Sequence, residues 1–163
     1  TRGVRIGCQS LLVNTIPMIL TEKGGQAWRN PTYYPFQHVS RYGRGEVLRI
    51  VTDSPKYDSS EFTDVPFIDS VAVFNGEDGE ITVFAINRSA EPMQYDLDIR
   101  DFEDVAFLEQ IVLKHESLSA INTSDHPTNV SPARSDQTSL DRGTATSLLD
   151  PYSWNVIRFS VKS

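Results

Sequence analysis

Val71-Ala72-Val73-Phe74-Asn75-Gly76-Glu77-Asp78-Gly79-Glu80-Ile81-Thr82-Val83-Phe84-Ala85-Ile86 is the stretch that decides the fold. Two apolar runs flank a loop of turn formers, which is the signature of a β-hairpin. Residues 81–86 are apolar on both faces and read as a central strand, covered above and below. Further on, Met93, Tyr95, Leu97 and Ile99 alternate with Gln94, Asp96, Asp98 and Arg100, so one face of that strand is dry and the other wet. Additional strands are expected at residues 47–52, 105–113 and 155–161. Six or more short strands separated by turns, with little helix, predict a mainly β protein built as an antiparallel β-sandwich.

Upstream of the hairpin the pattern is different. Val4-Arg5-Ile6-Gly7-Cys8 alternates weakly, and Leu11-Leu12-Val13 continues it as a short buried run. Lys23-Gly24-Gly25-Gln26 is a turn or flexible loop. Thr32 is placed to N-cap a helix over Tyr33–Tyr42, with Pro35 in its first turn and Gly43 as a left-handed stop. Trp28, Tyr33, Tyr34, Phe36 and Tyr42 crowd this segment, and one helix cannot bury them all against itself. Residues 53–69 read as a long connection crossing the sheet. Residues 119–147 hold few large apolar side chains and read as a long loop, either functional or mobile.

Composition narrows the function classes. The chain has 163 residues, 39% hydrophobic and 23% charged, which suits a globular domain and is too apolar for a disordered one. The net charge is −7, with +5 in residues 1–50 and −12 in residues 51–163. The acidic part would repel phosphates, so no nucleic-acid partner is expected. No apolar run approaches the roughly 18 residues of a membrane span, and the first residues lack a signal-peptide pattern. No membrane partner and a cytoplasmic location are therefore expected. The single cysteine, Cys8, excludes an intrachain disulfide and suits a reducing compartment. The opening on Thr1 rather than Met reads as a piece of something longer.

The residues offer little chemistry of their own. His38, His115 and His126 have no spacing suited to zinc, so no metal or other cofactor is expected. No Gly-x-Ser-x-Gly turn exists to expose a nucleophile, and Gly24-Gly25 and Gly43-Arg44-Gly45 lack the spacing of a phosphate loop. Asp96 and Asp98 share a strand face that would suit a cation, although alternating carboxylates also describe an ordinary wet face. Asn87-Arg88-Ser89, Asn122-Thr123-Ser124 and Asn129-Val130-Ser131 match glycosylation sequons, a pattern frequent by chance. A glycosidase needs two carboxylates flanking the bond, and the first segment offers only Glu22 and Glu46. No catalytic residue is assigned.

The strings themselves carry more. Leu12-Val13-Asn14-Thr15-Ile16, Gly25-Gln26-Ala27-Trp28-Arg29, Tyr33-Tyr34-Pro35-Phe36 and Ser40-Arg41-Tyr42-Gly43-Arg44-Gly45 resemble the end of the barrel in α-L-arabinofuranosidases of glycoside hydrolase family 51. Asp53-Ser54-Pro55-Lys56-Tyr57, Asp64-Val65-Pro66-Phe67-Ile68-Asp69, Phe84-Ala85-Ile86-Asn87-Arg88 and Ser153-Trp154-Asn155-Val156-Ile157-Arg158 resemble the C-terminal β-domain of that family. The resemblance covers essentially the whole chain in order. It implies residues 1–45 as the last strand, loop and helix of a (β/α)8 barrel, and residues 46–163 as a jelly-roll-like β-sandwich. It further implies a parent enzyme that releases terminal arabinofuranose with retention from arabinan, arabinoxylan or arabino-oligosaccharides. Both catalytic glutamates of the family lie on earlier barrel strands, so this chain alone is expected to be inactive.

Two residues are implied at the sugar. Family members often carry Ala-Gln-Leu-Val-Asn at the last barrel strand, and the glutamine position is Leu11 here. Gln9, two residues earlier, keeps the same strand face and is the candidate replacement. Trp28, on the loop after that strand, is the better placed wall of the pocket. The expected partners are an arabinose-containing saccharide, the rest of the barrel, on which Trp28 and the helix would pack, and further copies in a homo-oligomer. The competing reading is a free-standing carbohydrate-binding or oligomerisation module. The placing of Tyr95, Phe84 and Phe159 at inward-alternating positions disfavours a flat row of sugar-stacking aromatics.

Overall fold

The computed structural model describes residues 6–9 and 11–162. In chain order the elements are β1 (Ile19–Thr21), β2 (Ala27–Arg29), α1 (Tyr33–Tyr42), β3 (Glu46–Leu48), β4 (Lys56–Tyr57) and β5 (Val65–Pro66). They continue with β6 (Ile68–Asn75), β7 (Glu80–Asn87), β8 (Met93–Asp98) and β9 (Glu103–Leu113). The chain ends with β10 (Ala133–Ser135), β11 (Thr138–Asp141), β12 (Thr144–Leu149) and β13 (Ser153–Lys162). All strand pairs are antiparallel. A six-stranded sheet runs β10-β9-β13-β7-β6-β3, and a three-stranded sheet runs β11-β12-β8.

The quoted hairpin is β6–β7, with Ala72 opposite Val83 and Phe74 opposite Ile81. As expected, β7 is internal to its sheet and covered on both faces. Its Ile81, Val83 and Ala85 meet Ile157, Phe159 and Val161 of β13 and Tyr95, Ala145 and Leu149 of the smaller sheet in one buried cluster. Its Phe84 points the other way and packs with Val73, Val156, Tyr42 and Trp154. Phe159 and Leu149 are fully buried, and burial of a side chain of that size contributes roughly 1.5–3 kcal/mol.

One end of the inter-sheet layer is polar. Gln110, Asn155 and Ser147 have no exposed surface. Gln110 Nε2 donates to Asn155 Oδ1 at 3.2 Å, and Thr138 Oγ1 donates to Gln110 Oε1 at 2.8 Å. Asn155 Nδ2 donates to Ser153 Oγ at 2.8 Å. The network ties β9 and β13 of one sheet to β11 and β12 of the other.

The helix α1 forms over Tyr33–Tyr42 as expected, but its ends differ from the expectation. Thr32 lies in the helical region and its side chain makes no capping bond. Gly43 has φ −91°, so it is not a left-handed stop. Glycine is needed there for another reason: a Cβ would sit 2.5 Å from the Val39 carbonyl, which accepts the Gly43 N–H.

The helix also lies somewhere unexpected. Instead of leaving its aromatics unpartnered, it docks on the outer face of the six-stranded sheet. Tyr34 packs with Leu113 and Val130, and Tyr42 packs in the Val73–Phe84–Val156 cluster. The sandwich itself supplies apolar surface to Tyr34 and Tyr42. Phe36 and Val39 remain on the exposed side.

Two further expectations change. Residues 119–147 are not one long loop, because β10, β11 and the start of β12 lie within them. The strand expected at 47–52 is only β3, whose pairing with β6 ends at Leu48, and Val51 is almost fully exposed. The connection at 53–69 carries the small β4–β5 ribbon. Val4, Arg5 and Ser10 of the first expected strand lie outside the described residues. Leu11, Leu12 and Val13 are exposed rather than a buried run, and among the described residues the strand pairing beside them is a bridge from Val13 to Ile19. Among the described residues no helix is long and apolar enough to cross a membrane.

Candidate functional site

Both residues implied at the sugar fall in the N-terminal segment. Trp28 stands in β2, opposite Leu20 of β1, and is half-buried. Its Nε1 donates to the backbone carbonyl of Asn122 at 3.0 Å. Gln9 is exposed and its Nε2 donates to the Ile16 carbonyl at 3.3 Å. That carbonyl belongs to a turn held by reciprocal bonds between Asn14 and Thr21, each 2.7 Å. Among the described residues no hydrogen bond joins Gln9 to Trp28. Among the described residues, Trp28 is anchored to the sandwich and Gln9 to its own segment.

A second cluster was not visible in the sequence. Arg158 of β13 lies between Glu80 of β7 and Glu109 of β9, with one guanidinium nitrogen bonded to each carboxylate. Arg134 reaches the other oxygen of Glu109 at 3.1 Å. The Tyr42 ring stacks on the Arg158 guanidinium, 4.3 Å from its centroid. These are the closest thing to a paired-carboxylate centre among the described residues, yet they are not one. A glycosidase needs one carboxyl free to give a proton and one free to attack. Here the same cation occupies both, so the cluster is an ion-pair clamp between strands and helix. The signal for it was a lone Arg inside the apolar run Val156-Ile157-Arg158-Phe159.

Beside this clamp, the buried His38 accepts a hydrogen bond at Nδ1 from Trp154 Nε1 at 3.2 Å. Its imidazole is therefore neutral at that nitrogen. Burial pushes its pKa below the ordinary value; Glu109 partly opposes this and Arg41 adds to it. His115 and His126 lie elsewhere, and the described residues contain no group of three His, Cys, Asp or Glu fit to hold a metal. The Asp96–Asp98 pair is taken up locally. Asp96 accepts from Gln94 and Thr146, and Asp98 is held well below the usual carboxylate range, at about 2, by the Arg100 side chain and backbone N–H.

Two of the three sequon asparagines are taken up inside the fold, while Asn129 is exposed with its Nδ2 donating to the Ile121 carbonyl. Asn87 is buried, and its Nδ2 lies within bonding distance of the carbonyls of Glu91, Leu149 and Asp150. Asn122 is buried and bonded through both amide atoms. Neither presents a free amide for a glycan.

Comparison with known proteins fits this arrangement. The family model for the alpha-L-arabinofuranosidase C-terminal domain matches residues 1–153. An intracellular exo-alpha-(1->5)-L-arabinofuranosidase of Bacillus subtilis is 43% identical over 98% of this chain, and that of Acetivibrio thermocellus is 46% identical over 95%. The chain spans about a third of the length of these curated relatives, 32% and 31%. A family 51 alpha-L-arabinofuranosidase structure from Bifidobacterium longum superposes with a TM-score of 0.84 at 30% identity, covering 91% of this chain and 29% of that one. One from Thermotoga maritima, with a TM-score of 0.77 at 21% identity over 90% of this chain and 32% of that one, shows the same fold. With the family model matched over residues 1–153, the chain belongs to the family of alpha-L-arabinofuranosidase C-terminal domains.

Proposed function

We propose that this chain is the C-terminal part of a retaining α-L-arabinofuranosidase that releases terminal arabinofuranose from arabinan, arabinoxylan or arabino-oligosaccharides. The observation that carries the reading is the family match along the chain, joined to an N-terminal segment that exposes Leu11, Leu12, Val13 and Ile16. An exposed apolar run marks a surface that a partner covers, and the rest of a barrel would supply that cover. In this reading residues 1–45 complete the barrel and residues 46–163 brace it. Two glutamates supplied by the rest of the barrel perform the acid/base and nucleophile roles. Trp28 and Gln9 face the sugar, with Trp28 as the larger and more rigid surface.

The relatives' names as intracellular enzymes support a cytoplasmic location. Relatives are named for both (1->5) and (1->6) activity. The exposed Val39, Val47 and Val71, bordering a groove floored by Phe84 and Trp154, support association with further copies.

The test uses 4-nitrophenyl α-L-arabinofuranoside. The 163-residue chain should give no turnover, and the full-length enzyme should hydrolyse the substrate with retention, followed by proton NMR of the first-formed sugar. Turnover by the isolated chain that scales with protein and survives repurification would refute the reading. So would a folded full-length enzyme inert toward this substrate.

A further inference from the structure

The segment between β9 and β10 reaches back to the β1–β2 hairpin and grips it at three points more than ninety residues apart in sequence. Trp28 Nε1 donates to the Asn122 carbonyl at 3.0 Å, Asn122 Nδ2 donates to the Arg29 carbonyl at 2.8 Å, and Gln26 Nε2 donates to the Ser124 carbonyl at 3.3 Å. Asn122 is only 2% exposed. Its amide also closes its own loop, donating to the Val130 carbonyl at 2.9 Å and accepting from the Val130 N–H at 2.7 Å. Val130 in turn is buried against Tyr34 of the helix and Leu113 of β9.

A buried amide is costly unless its polar atoms are met. When they are met, the network fixes one geometry and resists others. Here that geometry relates the hairpin to the sandwich. Asn122 holds the backbone on one side of Trp28 through Arg29, and its own carbonyl takes the indole N–H. The indole is thus fixed both at its backbone and at its ring edge.

The geometry points to Asn122 as a positioning residue for the arabinofuranosidase reaction, acting through Trp28. It sets the place of the indole against the sugar, so the C-terminal domain shapes the pocket of the barrel. This inference rests on the reading of Trp28 as a pocket wall.

The experiment measures kcat and KM of the full-length enzyme on 4-nitrophenyl α-L-arabinofuranoside, well below the melting temperature of each variant. The variants are Asn122→Ala, Trp28→Phe, Trp28→Ala and the Asn122→Ala/Trp28→Ala double. Misplacing a contact group by an ångström is costly, so Asn122→Ala and Trp28→Phe should each lower kcat/KM on the order of tenfold, chiefly through KM. Asn122→Ala should add nothing in the Trp28→Ala background. An unchanged kcat/KM in folded Asn122→Ala, or the full loss persisting without Trp28, would overturn the inference. If Asn122→Ala does not fold, Trp28→Phe decides, because it keeps a ring and removes the N–H that the 122 carbonyl holds; parent-like kinetics there would also overturn it. Parent-like kinetics in Trp28→Ala would instead sink the pocket-wall reading, and the inference with it.

Discussion

Replacing Gln110 by leucine tests whether the polar end of the inter-sheet layer stabilises the sandwich. Leucine fills most of the same volume, so the change is chiefly the loss of hydrogen bonds. Asn155 Oδ1, fully buried, loses the donor that reaches it at 3.2 Å. The Thr138 hydroxyl loses Gln110 but keeps Ser147 at 2.8 Å, so it is not orphaned. One buried acceptor left unmet costs about 1–3 kcal/mol. For a domain of this size about 2 kcal/mol lowers Tm by roughly 4–8 °C. Urea denaturation of the 163-residue chain should show a lower midpoint with an unchanged slope. The double variant Gln110→Leu/Asn155→Leu removes the orphan as well, since Ser153 Oγ still donates to the Asp150 carbonyl at 2.6 Å. It should therefore cost less than the two single changes combined. A Gln110→Leu chain as stable as the parent, or strict additivity in the double, would refute the account.

Acidification should loosen the helix. His38 has a folded pKa below the ordinary 6.5, so the unfolded chain binds the proton first. The contribution is full above about pH 6.5 and is lost as pH falls through the lower folded value. Trp154 fluorescence against pH should report this, and His38→Gln should flatten the change; an unaltered profile would count against it. Gly45 has φ +129° and a Cβ there would lie 2.2 Å from the Phe74 carbonyl, so Gly45→Ala should destabilise by roughly 1–3 kcal/mol in thermal melts. Amides of residues 81–86 should exchange orders of magnitude more slowly than those of residues 11–16, because the former are bonded on both sides between β6 and β13; equal protection by NMR would be inconsistent with the exposed N-terminal segment. In the full-length enzyme, Trp28→Ala should reduce kcat/KM more than Gln9→Ala, and the reverse order in two folded variants would give the sugar contact to Gln9.

The long apolar strands were legible because nothing but a sheet interior explains them. Ile81 to Ile86 has apolar groups facing both ways, and the structure covers both with Phe159 on one side and Trp154 on the other. The helix was legible in its extent but not in its ends, because Thr32 and Gly43 fit a capping pattern that the backbone does not use. Residues 133–149 were missed for a chemical reason. Their inward positions are Ala145, Ser147 and Leu149, all fully buried, and two of these three are too small or too polar to register as an apolar alternation. Serine enters the core only because Thr138 meets its hydroxyl. Asn122 and Arg158 were missed because their partners lie far off in the chain, and a sequon or a stray cation is all that local reading offers.

The two outermost strands of the larger sheet, β10 and β3, are each three residues long, while β9 and β13 inside it run to eleven and ten. Because β10 covers only residues 110–112 of β9, residues 103–109 border no further strand on that side among the described residues. That open stretch carries Glu103, Asp104 and Glu109 and breaks register against β13. Charge and bulging, rather than a paired neighbour, are what discourage a visiting strand there.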